Sequence, residues 1–421
     1  MNSAATKKLP FKNPDMSMPQ SSSQSHKVAL FSHILPPSPS GQAIVLFRIL
    51  QGIDPAGYCL LSRNDYTKQD LALNTPHQLQ ARYFHITSGA GRGGNKKPMK
   101  LRYGSRLIRY RNALAIVYKM HQLLVDQHCD AIIACSGDLY DIPAAFLASR
   151  LARIPFYAYI FDDYVYQWTG HRRQVARIIA SIIFRSAEKI IVTNEFLGKE
   201  YVKRYQIHPV VIHNPCASEH LERKATASWP AQEGFIKIVY TGAIYHAHFD
   251  AFRNLISALK KLDRKDIQLH LYTSQPRGEL EAKGISGINV FFHPHLDYSK
   301  IMEVQEMADI LFLPLAFDSS IPEVIRTSAP GKLGEYLASR RPILVHAPSD
   351  SFISWYIRTH DCGMIVDCND PVKVTEGIVN MISDAELRQR YTLNAYNRAL
   401  DDFNPVMAQE HFINLFSLKK P

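Results

Sequence analysis

The chain of 421 residues has no run of the roughly 18 uninterrupted apolar residues that a membrane-spanning helix needs. Its longest apolar stretches are broken by charge, as in FYAYIFDDYVYQW from Phe156, or bracketed by it, as Arg177 and Arg185 bracket IIASIIF. The first 26 residues contain lysines but no apolar segment, which argues against a signal peptide. The six cysteines never form a C-x-x-C pair, so neither a zinc site nor a dense disulfide framework is expected. Reduced, buried thiols in a cytoplasmic protein are the simpler reading. D-x-D, H-E-x-x-H, G-x-S-x-G and the P-loop pattern are all missing. Pro330-Gly331-Lys332-Leu333 resembles the end of a P-loop only superficially, because Leu333 stands where a hydroxyl would hold magnesium.

What is present is an ordinary folded composition, 46% hydrophobic and 21% charged, at a length that suits two or three domains. Lys and Arg outnumber Asp and Glu, 49 to 38, a net charge of +11 that calls for an anionic partner. From Arg92 to Val125 the chain carries basic residues and no acid, and from Leu101 the segment is also amphipathic. Such a stretch suits a solvated basic face, an anionic membrane surface, or nucleic acid. Nucleic acid would want aromatic stacking platforms, and only Tyr103 and Tyr110 offer them, so no nucleic acid is expected. Contact of 92–125 with a membrane surface or lipid-linked acceptor remains the functional expectation.

Residues 1–26 read as a polar, disordered tail. From 27 to 216, short apolar runs (KVALF, GYCLLS, RYFHITS, DAIIACS, PFYAYIF, KIIVTN and PVVIHNP) alternate with helical stretches. A polar linker is expected over 217–234. The alternation then restarts over 235–404, through FIKIVYTG, QLHLYTS, NVFFHPH, DILFLPL, RPILVHA and GMIVD. Residues 405–421 form a terminal amphipathic helix. This order predicts an α/β protein of two doubly wound Rossmann-like domains, with ligand bound in the cleft beyond the carboxyl ends of the strands.

Several motifs compete for that cleft. Gly89 to Gly94 reads GAGRGG and satisfies G-x-G-x-x-G, but the following NKKP contains Pro98 and gives no helix start for a pyrophosphate. The H-x-H pairs His246/His248 and His293/His295 lack a third ligand at a diagnostic spacing, so they read as polar residues of the ligand edge rather than a metal site. The strongest signal is APGKLGEYLASRRPIL from Ala329. Pro330 and Gly331 precede a helix start whose free N–H groups suit a diphosphate, Lys332 adds a full charge, and Glu335 suits vicinal ribose hydroxyls.

With VYTGAIY and QEMADILFLP, this segment resembles the donor-binding domain of retaining GT-B glycosyltransferases, family four (group 1) in particular. KVALFSHILPPSPSG and AEKIIVTNEFLGKEYVKRYQIHPVVIHNP resemble that family's first domain. The resemblance implies the GT-B architecture and transfer of a sugar, with retention, from a nucleotide-diphosphate sugar of UDP or GDP type. The acceptor hydroxyl would belong to a glycan or lipid-linked molecule, in polysaccharide or glycoconjugate biosynthesis at the cytoplasmic side. No cofactor and no metal are implied. It places Gly242, His246, His295, Pro330, Gly331, Leu333 and Glu335 at the donor, Gly41 and Asp163 on the acceptor side, and Lys332, Arg253 and Asp162 in catalysis. The chain departs from the family at Thr327, where a first glutamate is usual, with Glu323 out of register. A nucleotide-sugar 2-epimerase and a non-catalytic protein binding an anionic surface share the same architecture.

Overall fold

The computed structural model of the chain describes residues 26–67, 77–87, 104–223, 229–230 and 234–418. The GAGRGG segment, most of the polar tail and residues 92–103 lie outside them.

Every apolar run read from the sequence forms a strand. The first sheet contains β1 (Val28–Phe31), β2 (Tyr58–Ser62), β3 (Arg82–His85), β4 (Ala131–Cys135), β5 (Phe156–Ile160), β6 (Lys189–Val192) and β7 (Val210–Val211). They pair in parallel in the order β3-β2-β1-β4-β5-β6-β7. The second sheet contains β8 (Ile236–Thr241), β9 (Ile267–Tyr272), β10 (Val290–His293), β11 (Ile310–Pro314), β12 (Ile343–His346) and β13 (Met364–Val366). Its parallel order is β10-β9-β8-β11-β12-β13. The central strands are buried on both faces, which is why they read as continuous rather than alternating apolar runs.

Strand order reverses at β1 in one sheet and at β8 in the other. Beside each, the loops leave toward opposite faces and open a crevice at the carboxyl ends. On the first sheet, helices Gly104–Asp126, Asp141–Ala152, Gly170–Ile183 and Glu195–Tyr205 share one core with Ala29, Phe31 and Ile132. The helix Gly41–Leu50 covers the other face, and the helix Pro405–Phe416 packs there too, with Phe412 and Phe416 in that core and Phe416 edge-on to Tyr157. The chain therefore crosses back to the first sheet after completing the second.

The two halves also meet directly. Phe196 packs on Phe352 and Trp355, and His213 stacks on Phe403. Asn194 and Asn214 donate from the first half to the carbonyls of Thr327 and Ala329 at 2.8 and 2.9 Å. Gly334 lies at this seam. A Cβ added there would stand 2.9 Å from Cδ1 of Phe403 and 3.2 Å from the Asn214 carbonyl, whereas one at Gly331 would meet nothing within 4 Å. Gly334→Ala is expected to destabilise the chain by about 1–3 kcal/mol through overpacking. Gly331→Ala should leave the thermal melting curve close to wild type, and equal melting of the two variants would contradict this assignment of the seam.

Candidate active site

The loop after β8 is held open by a small set of hydrogen bonds. The Gln275 side chain accepts from the Ile244 amide at 3.0 Å. The Asp250 carboxylate accepts from the amides of Phe317 and Asp318, each at 2.8 Å, and so ties this loop to the one after β11. Gly242 has a φ of +117°, a conformation that only glycine adopts freely. A Cβ there would also come within 3.2 Å of Nζ of Lys332.

Lys332 is the centre of the site. Its ammonium donates to Oη of Tyr240 at 2.8 Å and lies 4.2 Å from the centroid of that ring. The same hydroxyl donates to the Ala243 carbonyl at 2.6 Å, so one phenol fixes both the loop and the lysine. Burial pushes the Lys332 ammonium down to about 8, against the opposing pull of Glu335. Beside it, His248 is buried with no hydrogen-bond partner for Nδ1. Its ring is held neutral first by burial and then by the charges of Lys332 and His246.

Glu335, one turn beyond Lys332, is engaged across the two halves. Its Oε1 accepts from the Arg48 guanidinium at 2.5 Å, and its Oε2 accepts from Gln305 at 3.2 Å. Burial alone would raise its carboxyl, but Arg48, with His220 and Gln305, outweighs this and holds it below the ordinary range. Arg48 also donates to the Pro215 carbonyl at 2.7 Å. The carboxylate keeps unused lone pairs, but it is not a free group waiting at a pocket wall.

Several expected residues stand elsewhere. Arg253 is exposed and donates to the Lys283 carbonyl at 3.3 Å, because its neighbours Phe252 and Leu255 take the inward face of the helix Phe249–Leu262. Asp163 is buried, its Oδ1 accepting from the amides of Val165 and Tyr166 and its Oδ2 paired with Arg204, so it builds a turn rather than meeting an acceptor. Leu333 is a core residue whose amide already donates to the Pro330 carbonyl, so neither its side chain nor its N–H faces a ligand. The helix Lys332–Ala338 has only 7 residues, which weakens any contribution from its dipole.

Asp162, in contrast, is exposed directly after β5, and its charge is felt by Tyr245 of the loop after β8. Desolvation at its place in the cleft, although its surface stays open to solvent, and then the charge of Asp163 raise the Asp162 carboxyl. His246 is exposed and edge-on to Tyr245, His295 is exposed in the loop after β10, and Gly41 opens its helix with free space around it. His293 stacks on Tyr272 and hydrogen-bonds His270 at 2.9 Å. Thr327 is buried, its hydroxyl turned to the Glu323 carbonyl, while Oε2 of Glu323 is buried without a partner. Among the described residues no three His, Cys, Asp or Glu side chains converge as a metal site, and no helix is long and apolar enough to cross a membrane.

Arg48, Gln305 and Tyr240 carry no role in the sequence reading, and His248 enters it only as one of the polar H-x-H residues of the ligand edge. Arg48 did leave a trace as the single charge inside the apolar stretch QAIVLFRIL.

Residues 236–384 match the family model for glycosyl transferases, group 1. The match spans β8 to β13, and so holds the loop after β8, Lys332 and Glu335. No curated protein sequence matches the chain. Among solved structures, a glycosyltransferase from Rickettsia africae superposes with a TM-score of 0.66 at 11% identity, covering 93% of this chain and 98% of that one. HepE from Anabaena, in complex with UDP-glucose, gives 0.65 at 14% identity, covering 93% and 100%. Sucrose-phosphate synthase from Thermosynechococcus elongatus gives 0.64 at 14%, covering 93% and 98%. These likenesses show the fold, which is GT-B: two Rossmann-like domains, the second bearing the group 1 match.

The pairing of Arg48 with Glu335 predicts a stability effect with a defined pH dependence. Arg48→Met, which leaves a buried carboxylate uncompensated, should cost about 3–5 kcal/mol near neutral pH. The folded Glu335 carboxyl lies below its unfolded value of about 4.3, so the pair's contribution is present above that pH and is lost as pH falls through the folded value. Urea titrations at a series of pH values should show the gap between variant and wild type closing in acid. A gap that is small at pH 7, or constant with pH, would remove the pair from its central role.

Proposed function

We propose that the chain is a retaining glycosyltransferase using a nucleotide-diphosphate sugar of UDP or GDP type. It moves the sugar to a hydroxyl of a glycan or lipid-linked acceptor, in polysaccharide or glycoconjugate biosynthesis at the cytoplasmic side. The observation that carries this reading is Lys332, fixed on Tyr240 against Gly242 at the carboxyl end of β8, inside the residues that match group 1. HepE, similar in fold, is described in complex with UDP-glucose, which supports a donor of the same kind.

In the proposed reaction the bond from the anomeric carbon to the diphosphate oxygen breaks, and one to the acceptor oxygen forms on the same face. Lys332 neutralises the charge that grows on the leaving diphosphate, the largest electrostatic demand of the step. Gly242 lets the phosphates approach the loop. Pro330, Gly331 and Glu335 lie along the nucleotide, with Glu335 accepting from ribose hydroxyls through the lone pairs that Arg48 and Gln305 leave free. His246 and His295 flank the donor. On the acceptor side Gly41 leaves room and Asp162, its carboxyl raised, accepts the acceptor proton. The charge on Lys332 takes the place of a metal ion, so no cofactor is proposed.

Thermal-shift titration with UDP, GDP, ADP and TDP, with and without EDTA, tests the donor site. One nucleotide should stabilise the chain saturably and independently of EDTA. No shift with any of them would sink the reading. Because the free Lys332 titrates near 8, the donor kcat/KM should fall as pH rises through that value, and Lys332→Ala should lower it about 100-fold or more and abolish that limb. A limb that survives unchanged in Lys332→Ala belongs to another group.

A further inference from the structure

Three neighbouring helices on the outer side of the first sheet are incompletely explained by the fold. Gly104–Asp126 packs along Asp141–Ala152, which in turn meets Gly170–Ile183. Their inward residues, Val117, Met120, Ala145, Ala148, Ala176 and Ala180, are buried in the core as an amphipathic helix requires. Their outward residues are not uniformly polar. Leu114 and Tyr118, Leu147 and Leu151, Ile178 and Ile182 form one i,i+4 apolar pair per helix, each side chain 50–66% exposed. Scattered exposed apolar residues are normal, but an exposed pair repeated on each of three packed helices is the pattern of an interaction surface.

The charge on this face has one sign. Arg111, Lys119, Arg150 and Arg177 stand exposed among the apolar pairs. Of the acids on the described part of the three helices, Asp141 is buried against Arg63 and Asp126 lies in a last turn. From 142 to 161 and from 164 to 187 there is no Asp or Glu at all. At the end of the middle helix, Arg150 and Arg153 line a half-open surface pocket of about 380 Å³ with Ser149, Ile154 and Pro155, and the Arg150 guanidinium donates to the Ser186 carbonyl at 3.0 Å. The second domain gives the contrast. There the exposed Val372 and Val379 flank a Lys373–Glu376 ion pair, as on an ordinary solvated face.

We propose that the outer face of these three helices docks on an anionic lipid bilayer. The apolar pairs enter the boundary between headgroups and acyl chains. The guanidinium and ammonium groups meet the lipid phosphates, with the pocket at Arg150 and Arg153 receiving a headgroup. This chemistry suits a bilayer because apolar insertion and a positive field act together over a convex helical surface. The middle and third helices begin just beyond β4 and β5, so the docked face leads to the strand ends where Asp162 stands. Arg111 and Lys119 of the basic stretch share this surface with cations of two helices that lie outside the stretch in sequence, and the proposal does not rest on the glycosyltransferase reading.

Co-sedimentation of the full chain with vesicles tests it, using equimolar phosphatidylcholine and phosphatidylglycerol against phosphatidylcholine alone. Partition should favour the anionic vesicles and weaken with added salt. At about 1 kcal/mol for each basic residue at the surface, Lys119→Glu with Arg177→Glu should weaken partition at least tenfold. Ile178→Asp with Ile182→Asp should do the same by opposing insertion, and both variants should melt like wild type because the residues are exposed. Equal partition to the two vesicle types overturns the proposal, as does anionic binding that neither variant affects. A dimer in light scattering that Ile178→Asp with Ile182→Asp dissociates would overturn it too, assigning the face to a second copy of the chain.

Discussion

The Arg48–Glu335 ion pair is the contact on which the arrangement of the cleft depends. It joins a helix of the first domain to the short helix that carries Lys332, and both partners are withdrawn from water. Neither charge could be buried alone, because an unpaired ion in such surroundings costs several kcal/mol. The network continues from Glu335 through Gln305, which donates to Thr241 at the end of β8 and accepts from His220. The end of β8 and the start of the Lys332 helix are thus fixed to each other and to the opposite domain by the same few polar atoms.

That constraint explains the state of Lys332. Its half-buried ammonium rests on the phenol and ring of Tyr240, with Glu335 one turn away, so it stays charged at a reduced affinity for its proton. A cation desolvated in this way interacts strongly with an arriving anion, since little solvent has to be displaced. His248 sharpens the effect: forced neutral by the same burial, it adds no competing charge at the loop. The site concentrates one positive charge at the carboxyl end of β8 rather than spreading several.

The architecture was legible because two parallel sheets impose a strong pattern. Strands buried on both faces must be apolar throughout, so β1, β4, β5, β8, β11 and β12 stood out in the sequence, as did the break in alternation between the two halves. The motif around Lys332 and the glycine at 242 were legible for a related reason, since backbone geometry and charge at a strand end leave few residue choices. Arg253 and Asp163 misled because sequence gives position along a helix or turn but not the face. Phe252 and Leu255 took the inward side and turned Arg253 out, while Arg204, more than 40 positions away, claimed Asp163. Arg48 and Gln305 were illegible as a pair because their link through Glu335 exists only once both domains are folded.

The charge excess divides between two places with different physics. One cation at the cleft is desolvated and held by specific partners, and it serves chemistry. The cations on the outer helices of the first domain remain hydrated beside apolar side chains, where each contributes little and only their sum is useful. A sequence total of +11 cannot separate these roles, because it counts a half-buried lysine and an exposed arginine alike. Burial separates them. The acids of the first domain reinforce the division: Asp141 and Asp163 are withdrawn into pairs with Arg63 and Arg204, whereas Asp162 is exposed at a strand end. The positive outer face and the acidic cleft edge are then two consequences of the same burial of paired charge.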